Sequence, residues 1–446
     1  MCDSRSRSPV ARVPWEKVRL GELVLNHQSG VYKHRSQYGE GRNIVGVSDL
    51  FRHDRIHGQS FRRVRLSAAE VTRFGLQVGD LVYAESSLVL EGIAKTLHVA
   101  ENGEGTVFAW HTRRLRPKLS RVCPAYLSLS LASEGSRRFV ITRATQTALT
   151  GIPVAAYLKT PVYLPPLPEQ RRIAEILDTL DEAIRKTEQV ISKLQQVKQG
   201  LLHDLLTRGI DEHGELRDPE RHPEQFKDSP LGWIPRGWEV VPLGGLLDSV
   251  IDFRGRTPRK LGMQWGGGAI PALSAKNVRQ GGIDLSLETY YGSVALYGRW
   301  MTRGDASKGD VLITMEAPLG NIAQIPDERR YILSQRVVLL KYRSAAASPD
   351  FMAVQMRAGP FQANLRRWST GTTATGIQRA KLVKVPVVVP PSQEQQHIAC
   401  RVQALEARLV DESSGAAKLR TLKQGLMDDL LTGRVRVPIT AEEQSA

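Results

Sequence analysis

Pro165-Pro166-Leu167-Pro168-Glu169-Gln170-Arg171-Arg172-Ile173-Ala174 returns 225 residues later as Pro390-Pro391-Ser392-Gln393-Glu394-Gln395-Gln396-His397-Ile398-Ala399. Lys198-Gln199-Gly200-Leu201-Leu202-His203-Asp204-Leu205-Leu206-Thr207 returns at the same offset as Lys423-Gln424-Gly425-Leu426-Met427-Asp428-Asp429-Leu430-Leu431-Thr432. Across residues 165–207 and 390–432 there are 17 identities in 43 positions, with nothing inserted or lost between the anchors. An earlier pair stands at offset 223, Trp15-Glu16-Lys17-Val18-Arg19-Leu20-Gly21 against Trp238-Glu239-Val240-Val241-Pro242-Leu243-Gly244. Between these anchors the halves agree only in scraps, such as Gly79-Asp80 with Gly309-Asp310. The chain is therefore one unit written twice, a variable block followed by a similar shorter block.

The similar block reads as a long helix. Pro168 suits a first helical position, and Glu169 adds the acid that the first turn favours. The seam Leu177, Leu180, Ile184, Thr187, Ile191, Leu194, Lys198, Leu201, Leu205 recurs as Val402, Leu405, Leu409, Glu412, Ala416, Leu419, Lys423, Leu426, Leu430. This is a heptad pattern with polar interruptions at the same places in both copies. Leu177, Leu180, Ile184, Leu194 and Leu201, with Val402, Leu405, Leu409, Leu419 and Leu426, are the expected helix-pairing residues. Two unrelated helices, each packed on its own domain, are the alternative; so long and narrow a seam argues against them. Gly200 and Gly425 repeat inside the pattern, where Gly costs about 1 kcal/mol against Ala. They point to a close backbone approach or to a helix that ends early.

The variable blocks read as α/β, mixed α+β. Runs such as Ile44-Val45-Gly46-Val47, Asp80-Leu81-Val82-Tyr83, Asp310-Val311-Leu312-Ile313-Thr314 and Arg336-Val337-Val338-Leu339-Leu340 alternate with Gly, Pro and Asn punctuation. The expected organisation is a frayed end at 1–14, a globular block at 15–164, a helix at 165–209 and a polar linker at 210–231. A second block at 232–389, a second helix at 390–434 and a tail at 435–446 follow.

The 446 residues hold no run of about 18 apolar positions, which excludes a membrane-spanning helix. The opening Met1-Cys2-Asp3-Ser4-Arg5-Ser6-Arg7-Ser8 lacks an apolar core and does not read as a secretory signal. Cys2, Cys123 and Cys400 are odd in number and far apart, so a disulfide framework is not expected and a cytoplasmic setting fits.

Charge is the most informative quantity. The chain carries a formal +16, distributed as +11 on residues 1–160, −4 on 161–230, +10 on 231–389 and −1 on 390–446. Two basic modules on a neutral helical frame suit two contacts to one polyanion. Membrane binding would need basic amphipathic helices, which these are not. The basic clusters that nominate nucleic-acid contacts are Arg62, Arg63 and Arg65, then Arg113, Arg114 and Arg116 in the first block. In the second block they are Arg254, Arg256, Arg259 and Lys260, then Lys276 with Asn277, and Arg366 with Arg367. Arg reads guanine and Asn reads adenine bidentately, whereas Lys, Ser and Thr mostly hold phosphates. Thr370 and Thr372 in Trp368-Ser369-Thr370-Gly371-Thr372-Thr373 would line a phosphate-holding loop. For any single member a solvated surface charge is the competing explanation.

Catalytic signatures are missing from the sequence. It has no Gly-x-x-x-x-Gly-Lys-Ser/Thr, and Gly266-Gly267-Gly268 lacks the Lys of a phosphate cradle. No Asn precedes a Pro, so an Asn-Pro-Pro-Tyr-like methyltransferase tetrapeptide is absent. His27, His34, His53 and His57 cluster loosely without metal-ligand spacing. No metal ligand set and no catalytic residue are expected.

The layout resembles the specificity subunit of type I restriction–modification systems over nearly the whole chain. The resemblance is carried by Gly232-Trp233-Ile234-Pro235-Arg236-Gly237-Trp238-Glu239-Val240-Val241-Pro242-Leu243-Gly244, by the two Pro-Pro-x-x-Glu-Gln-x-x-Ile helix starts and by the two Lys-Gln-Gly-Leu helix ends. Ala144-Thr145-Gln146-Thr147-Ala148-Leu149-Thr150-Gly151 departs from the pattern that Gly371-Thr372-Thr373-Ala374-Thr375-Gly376 follows. The resemblance implies two target recognition domains alternating with two helices that pair as an antiparallel coiled coil, related by a pseudo-two-fold axis. It implies double-stranded DNA, two methyltransferase subunits and restriction/translocase subunits as partners. S-adenosylmethionine, ATP and Mg²⁺ would belong to those partners, and this chain would carry no cofactor. A coiled-coil scaffold or a DNA-binding adaptor outside a restriction system is the alternative; a scaffold alone has no use for the positive charge of the two blocks. Helices of this length are also expected to set the gap between two half-sites, with Thr187, Glu412, Lys198 and Lys423 as the positions that fix their register.

Overall fold

Val311–Met315 is buried at every position, as a strand covered on both faces must be. Its side chains alternate between two cores. Val311, Ile313 and Met315 pack with Phe351, Leu365 and Val387; Leu312 packs on the other side with Trp300, Tyr331 and Leu339. The computed structural model describes residues 15–53, 55–145, 150–343, 347–371 and 375–439. These separate into two units, one running to Glu188 and resuming at Ser414, the other Gln189–Ser413.

Both units contain the same sheets. In the second, an antiparallel sheet runs in the order Leu247–Asp252, Val337–Tyr342, Val311–Met315, Leu319–Gln324. In the first, the order is Val24–Ser29, Thr112–Pro117, Leu81–Ala84, Thr96–His98. Each unit adds a three-stranded sheet whose last pair is parallel. One is Tyr290–Gly292, Ile270–Leu273, Ile332–Leu333 and the other is Arg62–Val64, Tyr38–Val45, Val107–Phe108. Blocks with little sequence in common thus keep one topology.

A short ribbon closes each block. Val18 stands opposite Val162 where Glu16–Arg19 meets Pro161–Leu164, and Val241 stands opposite Val387 where Glu239–Pro242 meets Pro386–Val389. Each ribbon delivers the chain through its two prolines into a long helix, Leu167–Thr207 or Ser392–Leu430.

The helices pass antiparallel in both units. In the first unit Lys423 bonds Asp181 and Arg420 bonds Glu188, so numbers rise on one helix as they fall on the other. In the second unit Lys198 bonds Glu406, and the Ile210 amide reaches Glu394. Leu177 and Val402 are buried; Leu180, Ile184, Leu194, Leu201, Leu405, Leu409, Leu419 and Leu426 are half-buried. Leu177 and Leu426 pack with Met427 and Leu430, and Val402 and Leu201 pack with Leu205 and Ile398. A buried Leu of this kind contributes about 1.5–3 kcal/mol.

The repeated Glu-Gln at the helix starts is a double staple. Gln170 accepts from the Cys123 amide at 2.8 Å and donates to the Pro165 carbonyl. Gln395 accepts from the Ser348 amide at 2.8 Å and donates to the Pro390 carbonyl. Each Gln therefore fastens the helix start to the start of a domain helix, Pro124–Ala132 or Pro349–Arg357. Buried Glu169 takes Arg436 through both oxygens at 2.7 Å, and Glu394 takes Arg217 at 2.6 and 3.2 Å.

Two expectations change. Gly200 and Gly425 mark neither a close approach nor a helix end: the helices run past both, and a Cβ there would meet nothing within 4 Å. Residues 210–231 are not a bare linker. Ile210 and Phe226 are buried, Ile210 bridges Leu216, and Phe226–Lys227 pairs with Ile234–Pro235. Polar composition concealed the few apolar anchors that pin this stretch. In the expected tail Arg436 is held by Glu169, while residues 1–14 and 440–446 lie outside the described residues.

Candidate nucleic-acid interface

In the second unit the strand-to-loop turns build an open groove. Arg256, Thr257, Trp265, Ser274, Lys276, Glu288, Tyr290, Gln335 and Arg336 line a cavity of about 490 Å³. Trp265 stacks on Tyr290 with centroids 5.6 Å apart. Arg256 lies over Phe253 and donates to Thr302 at 3.1 Å, so its guanidinium is aimed before any ligand arrives. Lys276 bonds Glu288, which raises the Lys and lowers the Glu pKa, keeping both charged. A second hollow of about 310 Å³ is lined by Arg254, Glu316, Thr370, Gln378 and Arg379. The two meet where Glu316 Oε1 lies 3.2 Å from Arg336 Nε. Arg254 grips Asp252 at 2.7–3.1 Å. Burial opposes ionisation of Asp252, but these hydrogen bonds outweigh it and hold the carboxyl below its ordinary pKa.

The structure therefore brings Arg254, Arg256, Lys276 and Thr370 to one face. Arg259 and Lys260 are exposed on the adjacent turn Pro258–Leu261, with the Lys260 ammonium on the Gly255 carbonyl. Asn277 does not join them: it is fully buried, accepts from Ser274 and donates to Thr289 at 2.8 Å. Its amide closes a loop and is not presented to a ligand. Arg366 and Arg367 sit on the last turn of Gly359–Trp368, where Arg367 lines a different, apolar cavity with Trp233 and Phe361. Thr370 pairs through its backbone with Gly376, and Thr372 lies outside the described residues.

In the first unit Arg62, Arg63 and Arg65 are exposed at the edge strand. Arg62 lies over the Tyr38 ring at 4.6 Å, and Arg65 bonds Glu40 at 2.6 Å. Arg113, Arg114 and Arg116 are not a surface patch, because they lie within the sheet strand Thr112–Pro117. Arg116 binds buried Asp80 bidentately at 2.7 Å, Arg114 donates to Gln28 at 2.9 Å, and Arg113 donates to Glu85 at 2.7 Å. Burial lowers the Arg114 pKa, whereas the Asp80 hydrogen bonds raise that of Arg116. These cations hold the sheet together. The exposed chemistry lies beside them: Tyr32 meets Trp110 edge-on at 5.2 Å, Trp110 meets His111 at 5.5 Å, and His111 Nδ1 is 2.7 Å from Ser86 Oγ.

Reading the sequence missed Tyr32, Trp110, His111, Trp265, Tyr290, Gln335, Arg336 and Arg379. Aromatics set among polar or glycine residues, such as Tyr32 and Trp265, were the available signal. Among the described residues no group of three His, Cys, Asp or Glu is placed to hold a metal ion, and no helix is long and apolar enough to cross a membrane.

Residues 12–196 and 235–414 match the family model described as the type I restriction modification DNA specificity domain. A Methanocaldococcus jannaschii protein provisionally named type I restriction enzyme MjaX specificity subunit is 26% identical over 371 residues, 82% of this chain and 81% of that protein. The type I restriction enzyme MjaVIII specificity subunit of the same organism is 26% identical over 307 residues, 66% of this chain and 67% of that protein. A crystal structure of the type I restriction–modification S subunit from M. genitalium has a TM-score of 0.59 at 13% identity, covering 96% of this chain and 98% of that one; that likeness is one of fold. With the family model matched on both repeats, the chain belongs to the type I restriction–modification DNA specificity family.

Proposed function

We propose that this specificity subunit reads a double-stranded DNA site made of two different half-sites, one with each block. One observation carries the reading: a single topology occurs twice, yet the exposed linings differ. Arg256, Trp265, Lys276 and Tyr290 occupy the groove of one unit, and Tyr32, Trp110 and His111 stand exposed in the other. Equal scaffolds with unlike side chains are what two unlike half-sites require. The net charges of +11 on residues 1–160 and +10 on residues 231–389 supply the phosphate attraction that both contacts share.

The duplicated helical frame offers two near-equivalent docking surfaces. We assign these to two methyltransferase subunits, with restriction/translocase subunits joining for cleavage. S-adenosylmethionine, ATP and Mg²⁺ belong to those partners, and the complex works in the cytoplasm. This chain contributes the reading and the positioning.

Reconstitution tests the assignment. Methyl transfer to DNA is expected only when the chain and its methyltransferase partner are combined, and binding should weaken steeply between 50 and 200 mM salt, as phosphate contacts dictate. Methyl transfer by the purified chain alone, or salt-independent binding, would contradict it.

A further inference from the structure

Two residues occupy the same strained place in the two units. His111 has φ +70 and Arg336 has φ +66, a region where side chains are uncommon and Gly is at ease. Each immediately precedes the strand second in its sheet, Thr112–Pro117 or Val337–Tyr342. The backbone explains the bend. The Glu85 amide donates to the His111 carbonyl at 2.9 Å, and the Met315 amide donates to the Arg336 carbonyl at 2.8 Å. Neither bond needs a side chain, so Gly would satisfy both sites. Yet both positions carry long polar side chains, and both are exposed.

Each side chain is also tethered to an equivalent neighbour. His111 Nδ1 is 2.7 Å from Ser86 Oγ, and Arg336 Nε is 3.2 Å from Glu316 Oε1. Ser86 pairs with Gly151 and Glu316 bridges Gly376, and the two glycines are 225 apart in the sequence. The described residues that flank each glycine's preceding segment pair in the same way, Thr145 with Gly151 and Thr370 with Gly376, although the two sequences differ. The tether leaves His111 Nε2 as the ring nitrogen open to a ligand. Aromatic rings flank each position, exposed Trp110 beside His111 and exposed Tyr290, stacked on half-buried Trp265, in the groove that Arg336 lines.

We propose that His111 and Arg336 are the equivalent base-reading residues of the two units, each held in a strained backbone so that its side chain reaches a base edge. Strain at an exposed, tethered polar residue marks a functional position, and its appearance twice with different chemistry matches two unlike half-sites. Arg336 carries the donor fork that pairs with guanine O6 and N7. His111 presents a single ring nitrogen, a weaker reader of one purine acceptor. The inference rests on the two-half-site reading above.

The experiment uses the complete methyltransferase complex and maps its methylated motif in four versions of the chain: Arg336→Gly, Arg336→Asn, His111→Gly and the parent. Gly keeps the backbone, and Asn tolerates positive φ while preferring adenine. Arg336→Gly is expected to lose roughly 5- to 150-fold of discrimination at a guanine in one half-site, leaving the other half-site unchanged. Arg336→Asn should shift that position toward adenine, and His111→Gly should relax only the opposite half-site. Melting temperatures of the Gly variants should equal or exceed the parent's, since Gly relieves the strained φ. The inference is overturned by an unchanged motif in all variants. It is equally overturned by equal weakening on every DNA sequence, which marks a phosphate contact, or by a lowered melting temperature with no change of motif. A parent complex without a bipartite motif would instead sink the function reading itself.

Discussion

Lys198 Nζ lies 2.6 Å from Glu406 Oε1 in one unit, and Lys423, 225 residues on, bonds Asp181 in the other. Asp181 and Glu406 are separated by the same 225 residues, so the duplication has preserved an ion pair and not merely a seam. The other polar seam positions behave differently: Thr187 donates to the Ala183 carbonyl of its own helix, and Glu412 lies 4.0 Å from Arg408 of its own helix. Among the polar seam positions, the two Lys therefore make the cross-helix ion pairs. Lys423→Met is expected to destabilise by about 1–2 kcal/mol, as loss of a half-buried charged hydrogen bond does. Lys198→Met should cost less, because Glu406 keeps Arg357 at 2.8 Å. Urea melts of both variants check the order, and equal or reversed costs would contradict it.

Arg436→Ala should be the more damaging change in the first unit. Glu169 is buried, and losing its bidentate cation leaves the carboxylate, among the described residues, with the Trp15 indole donor at 3.3 Å. Removing one partner of a buried pair costs about 3–5 kcal/mol. Calorimetry should show the melting temperature falling by several degrees. A double change to Glu169→Gln with Arg436→Met should recover part of the loss.

Gly200→Ala and Gly425→Ala separate stability from assembly. Each should stabilise its helix by about 1 kcal/mol, since Cβ meets open space. Both glycines are exposed on helices assigned to partner docking, so each change should also weaken methyltransferase binding. Titration calorimetry with the methyltransferase subunit checks this; unchanged affinity in both variants would place docking elsewhere.

The Leu167–Thr207 helix has 41 residues and runs from one unit into the other. Four residues inserted after Thr187 add about 6 Å of helix. The preferred gap between half-sites should lengthen by one or two base pairs at about 3.4 Å each, with both half-site sequences unchanged. Motif mapping of the insertion variant reads this directly, and an unchanged gap in an active complex would show that the helix does not set it.

The helices and central strands were legible because their signals are local: a repeated seam, and apolar runs such as Val311–Met315. The staples were not legible, because Glu169 and Arg436 are 267 residues apart and Gln395 and Ser348 are 47 apart. Basic clusters misled where a strand intervened. Arg113-Arg114-Leu115-Arg116 looks like a patch until strand alternation carries Arg114 and Arg116 to a face holding Gln28 and Asp80. Asn277 was indistinguishable from a surface Asn because its partner Thr289 lies 12 residues away. Arg336 was read as the start of an apolar strand; the positive φ that singles it out is absent from any composition or spacing.

The most direct measurement is the methylated motif produced by this chain with its methyltransferase partner, mapped across a whole genome. Two recognition units of one topology and different linings predict one bipartite motif with unlike halves and unread base pairs between them. A continuous motif, or a palindrome with identical halves, would contradict the account.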